Sequence, residues 1–162
     1  MNTPEAKSNL LKHPLVKNIL SAVVVAAAGF VLLNLTFLFY FLVFQFFDIF
    51  ARSNPESIPQ WIPPARAIIF MAIIALLSWV IFRSKLPTLV KAIFMTVPTA
   101  VVLAMIGILL YPSPVLPYLV GALLTIGVLF YFYRTHKPWL YFYSVTLVAL
   151  TLMIFTLTGG EI

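Results

Sequence analysis

Five uncharged apolar stretches, joined by short polar segments, lead us to expect an all-α integral membrane protein built as a bundle of five transmembrane helices. Three observations carry that expectation. Hydrophobic residues make up 63% of the 162 and charged residues only 9%, against roughly a quarter charged in soluble domains. The apolar stretches match the roughly 20 helical residues that cross a bilayer core of about 30 Å. The Lys and Arg residues also collect on alternate joints.

The elements follow in order. Residues 1–18 form a polar N-terminal tail. The expected spans cover about 19–47, 64–82, 91–111, 115–133 and 139–158, and residues 159–162 form a C-terminal tail. Each span should be helical, because a backbone in hydrocarbon must pair its own polar groups or close a barrel. A barrel would show alternating polarity in segments of about ten residues, and none is visible. The first span is overlong and must tilt, kink or enter the outer interface. Pro63, Pro64 and Arg66 extend the second span outward, with the arginine snorkelling.

Eleven of the 12 prolines avoid the span centres, where a missing N–H would be costly. Pro98 is the exception and should bend the third span. Trp61, Trp79, Tyr111, Tyr118, Trp139 and Tyr141 fall near predicted interfaces, as aromatic belts do.

Lys7, Lys12, Lys17, Arg83, Lys85, Lys91, Arg134 and Lys137 fall on one side, against Arg52 and Arg66 on the other. The positive-inside rule then places the N-terminus in the cytoplasm and the C-terminus outside, in a multi-pass protein of the cell membrane. The basic side should meet anionic lipid heads. Nucleic acid is not an expected partner, because the basic residues are thinly spread and border apolar spans. Ala26-Ala27-Ala28 after basic and apolar residues could end a cleaved signal peptide. Cleavage there would leave about 19 more apolar residues at the new terminus, so the first span is expected to be retained.

At an offset of 51 residues, Arg83-Ser84-Lys85-Leu86-Pro87 faces Arg134-Thr135-His136-Lys137-Pro138, and Pro63 faces Pro114. Spans two and three could thus be a hairpin repeated as spans four and five. The competing account is that any basic joint between membrane helices wants lysine, arginine and proline.

Polar residues within the spans form a candidate polar stripe. Asn34, Gln45 and Asp48 share one helical face, and Ser144, Thr151 and Thr158 recur at sevens on the fifth span. A transport path would require Asn34 and Gln45 to look inward at Ser144 and Thr151 across a wet cavity. The plainer reading has the amides bonding neighbouring helices and the hydroxyls bonding their own helix four residues back. Thr96, Ala100, Ala104 and Gly107 form a small-residue stripe expected to pack on Gly121 and Thr125 of the next helix. The aromatic residues of the outer half of span one point all round the helix.

No Asp, Glu, Lys, Arg or His lies mid-span, and such residues mark proton relays and ion-coupled pumps. No Cys is present, and no metal cluster, phosphate loop or nucleophile–base pair is visible. No cofactor is expected. The expected function is therefore a non-enzymatic membrane subunit, scaffold or accessory factor, acting with a protein partner or as a homo-oligomer. The alternative is a small transporter or channel for a small solute or lipid.

Overall fold

The computed structural model describes residues 14–52, 62–110 and 115–158, with the side chains of 50–52 and 62–66 set aside. Among these residues the chain is all-helical. Its five helices are α1 (Pro14–Arg52), α2 (Ile62–Arg83), α3 (Thr88–Leu109), α4 (Leu116–Arg134) and α5 (Trp139–Leu157). Four of them, α1, α3, α4 and α5, are long and apolar enough to cross a membrane, while α2 offers the shorter apolar stretch Ala67–Arg83. The outer joint around Trp61, residues 1–13 of the N-terminal tail and the C-terminal tail 159–162 lie outside the described residues.

Helix α1 has 39 residues and so runs for about 58 Å, well past both ends of the expected span. The flanks Leu15-Val16-Lys17-Asn18 and Asp48-Ile49-Phe50-Ala51 contain neither proline nor glycine, so nothing stops the helix where the apolar run stops. Proline does set the other ends. Pro87 and Pro138 stand immediately before α3 and α5 in extended conformation, with φ, ψ of −60°, 149° and −55°, 146°. Pro98 lies inside α3 without ending it.

Helix α3 is the axis of the bundle and packs against all four others, most extensively against α5 and α1. Helix α4 is peripheral and, among the described residues, touches only α3 and α5. The contacts also fix the relative directions. Gly29 of α1 meets Thr96 of α3, and further along α1 Phe39 and Tyr40 meet Phe70, which lies well before the Phe82 carbonyl that Lys91 bonds at the start of α3, so α1 and α3 run parallel. Ser144 of α5 meets Ala92 of α3, each near the start of its helix, while Phe82 at the end of α2 meets Tyr141 at the start of α5. The joints after α2 and α4 therefore share one end of the bundle, and Arg83, Lys85, Lys91, Arg134 and Lys137 gather there.

The interior is narrow and built from small side chains: Val25, Ala92, Val97, Ala100, Val145 and Val148, with Thr96 and Ser144. Above this waist, Tyr40 meets Phe70 edge-on at 5.0 Å between ring centroids, and Phe39 lies 6.1 Å from the same ring. Below it, Phe132 sits 5.8 Å from both Tyr141 and Phe142. The outside is covered with exposed Leu, Ile, Val and Phe on every helix. Contiguous apolar surface on that scale suits hydrocarbon far better than water.

Candidate functional site

The buried polar groups lie where α3 meets α5 and α1. Ser144 is fully buried, and its Oγ stands 2.7 Å from the Ala92 carbonyl of α3 and 2.8 Å from the Leu140 carbonyl of its own helix. A hydroxyl has one proton, so the two carbonyls share it. Thr96 is 1% exposed and donates to the Ile93 carbonyl at 2.7 Å. Its methyl faces α1: a Cβ placed on Gly29 would come within 2.9 Å of the Thr96 Cγ2. Only glycine lets the two helices approach so closely, the usual role of small residues between membrane helices.

The small-residue stripe of α3 is therefore divided. Ala92, Thr96 and Ala100 are buried, with Ala92 against α5 and Thr96 against α1. Ala104 and Gly107 are half-buried. On α4, Gly121 does look toward α3, but toward Leu103, whose side chain lies 3.5 Å from a Cβ built there. Thr125 donates to the Gly121 carbonyl at 2.8 Å within its own helix. The seam expected with α4 is thus met by Thr96 facing α1 and Leu103 facing Gly121. The central helix packs most extensively against α5 and α1, and the short α3–α4 connection does not make α4 its main partner.

The two polar stripes do not face each other. Asn34 is exposed, and its Nδ2 donates to the Phe30 carbonyl at 2.8 Å. Gln45 is exposed and Asp48 half-buried. Ser144 is inside, whereas Thr151 donates to the Leu147 carbonyl at 2.8 Å and Thr158 to those of Ile154 and Phe155 at 3.0 and 2.9 Å, both on the outside of α5. The sevenfold spacing does not keep these three equally buried, because α5 buries residues only between Ser144 and Val148. Asn34 and Gln45 look away from Ser144, and the one buried hydroxyl of the stripe is committed to backbone carbonyls.

Both joints at the basic end close the last turn of the preceding helix. After α2, Lys91 reaches back and donates from Nζ to the Phe82 carbonyl at 3.0 Å, one of the acceptors a helix C-terminus leaves unpaired. Arg83 lies over the Trp79 ring at 5.3 Å. After α4, the Lys137 N–H donates to the Phe132 carbonyl and the His136 N–H to the Tyr133 carbonyl, the Schellman arrangement. His136 adopts φ 49°, where glycine is usual. Beside this turn lies an open cleft of about 330 Å³ lined by Phe132, Tyr133, His136, Lys137, Trp139 and Phe142.

Among the described residues no three His, Asp or Glu side chains gather as metal ligands would. Sequence reasoning missed Gly29 and the reach of Lys91. The signal for Gly29 was present, since it follows Ala26-Ala27-Ala28, but a run of small residues is also a feature of cleavage sites. No protein family, curated protein or solved structure matches the chain.

Proposed function

We propose that this chain is a non-enzymatic, multi-pass protein of the cell membrane, serving as a subunit, scaffold or accessory factor in a membrane assembly. In this reading all five helices cross the bilayer, with the N-terminus in the cytoplasm and the C-terminus outside. The basic end, carrying Arg83, Lys85, Lys91, Arg134 and Lys137, lies among anionic lipid heads of the cytoplasmic leaflet.

The supporting observation is the placement of the polar side chains. Asn34 and Gln45 are exposed on the outside of the bundle, while the buried Ser144 hydroxyl is engaged by two backbone carbonyls. A path through the molecule needs polar groups free inside. An assembly surface needs them outside, where an amide left in hydrocarbon costs several kcal/mol until a partner takes it up.

Extraction from native membranes in mild detergent, followed by mass spectrometry of what travels with the chain, tests this. A stoichiometric companion or a discrete homo-oligomer is expected. A strictly monomeric protein that carries solute across vesicles would overturn the reading in favour of a transporter.

A further inference from the structure

The outward face of α1 has an order of its own. Lys17, Leu20, Val24, Ala27, Val31, Asn34, Leu38, Phe41 and Gln45 are separated by alternating steps of three and four residues, and every one is exposed. This is the spacing that keeps a seam between two helices crossing at about 20° in a left-handed pair. The inward residues of the same helix are Val25, Gly29, Leu32 and Thr36. Ala27, Val31, Asn34 and Leu38 each lie two positions further on, which is about 200° around the helix. The seam thus points directly away from the bundle.

Two amides sit on it. Asn34 is near the midpoint of the apolar run 19–47, at the depth where a polar group costs most. Its bond to the Phe30 carbonyl uses one N–H and leaves the second N–H and Oδ1 for something outside the chain. Gln45 lies eleven residues on, about 16 Å along the axis.

We infer that this face is the contact of a parallel homodimer, α1 against α1 of a second copy, with Asn34 bonded to the partner's Asn34 and Gln45 to the partner's Gln45. Copies inserted with the same orientation can be related only by an axis along the membrane normal. That symmetry makes the two α1 helices parallel and sets each residue opposite its own counterpart. An amide is donor and acceptor at once, so it complements itself, and one register satisfies both depths together. A foreign helix would have to supply matching polar groups at the same two heights. Lys17 faces its counterpart only at the basic end, among headgroups rather than in hydrocarbon.

The inference rests on the outward face being an assembly surface, and the test separates the two ideas. The chain has no cysteine, so single cysteines at Ala27, Val31, Leu38 and Phe41 can be oxidised in native membranes and compared with Val23, Phe30 and Phe37. The latter are comparably exposed but flank the seam, turned about 75° from its middle. Disulfide-linked dimers are expected at the first four positions and not at the last three. Asn34→Leu in the Leu38→Cys background should lower the linked fraction roughly fivefold, about the effect of a pair of intramembrane hydrogen bonds, and Asn34→Gln should retain it. A flat pattern, or one indifferent to Asn34→Leu, overturns the homodimer. Seam cysteines that join only a different protein also overturn the second copy, while leaving the assembly surface intact. If purification finds no companion and no cysteine links to anything, both fall together.

Discussion

The hairpin α2–α3 and the hairpin α4–α5 share an outline and differ in how they are closed. In each, the first helix ends on arginine, four residues follow (84–87 and 135–138), and a proline introduces the second helix. The two prolines have nearly the same backbone angles. At the 51-residue offset, Lys91 corresponds to Phe142, and both reach back toward the end of the preceding helix. Lys91 gives a hydrogen bond to the Phe82 carbonyl, whereas Phe142 sets its ring edge-on to Phe132. The second hairpin, with no lysine there, satisfies the Phe132 carbonyl from its own turn, at the cost of a left-handed His136.

The attachments differ too. The first hairpin is held to α1 through Gly29 and Thr96 and through the rings around Phe70. The second has no contact with α1 through α4 and joins the rest chiefly along α3 and α5. Proline spacing determines the outline of a hairpin. Its closure and its anchoring depend on which side chain the neighbouring helix presents.

The largest effect should come from the anchor of the first hairpin. Gly29→Leu drives a side chain into Thr96, and overpacking of this kind costs about 1–3 kcal/mol. It should lower the thermal midpoint in detergent clearly. Gly127→Leu on α4, where an added Cβ meets nothing within 4 Å, should leave the midpoint unchanged. Equal behaviour of the two variants would erase the contrast between the packed α1–α3 contact and the peripheral α4.

The closures can be broken one at a time. Phe142→Ala removes a half-buried ring and should cost about 2 kcal/mol, while Lys91→Met keeps the stem, loses the hydrogen bond and should cost about 1 kcal/mol. Denaturation of both in one detergent gives the order. If Lys91→Met proves silent, the first hairpin does not depend on its lysine.

Glycine substitution sharpens the comparison of the turns themselves. His136→Gly should stabilise by up to about 1 kcal/mol, because the left-handed conformation strains any residue with a Cβ. Lys85→Gly, at a position without positive φ, should instead destabilise slightly through backbone entropy. Opposite signs in the shift of thermal midpoint are the expected result. The smallest effect belongs to Ser144→Ala, which removes the hydrogen bond between α5 and α3. Such bonds average about 0.6 kcal/mol in membranes, so Ser144→Ala should lower the thermal midpoint only slightly.

Much of the fold was legible because it is local. An apolar run must be helical if it lies in hydrocarbon, and proline before a helix marks its start. The ends of α3, α4 and α5 accordingly fall close to the expected ones. The ends of α1 do not, because they depended on polarity, and a polar residue without proline does not stop a helix.

The neighbours of each helix were harder to read. Thr96, Ala100, Ala104 and Gly107 announce a close approach wherever they stand, but their spacing is silent about which helix comes near. The structure assigns α5 to Ala92 and α1 to Thr96, since Gly29 gives α1 the matching hollow.

The polar face of α1 shows the same division between sequence and tertiary structure. That Asn34 and Gln45 share one side of the helix follows from 3.6 residues per turn, and the sequence alone determined it. Whether that side looks inward or outward is not a property of α1. It was decided by Gly29 on the opposite side, which lets Thr96 of α3 dock there. Shape complementarity between two helices is non-local, and only the packed structure brings its two halves together.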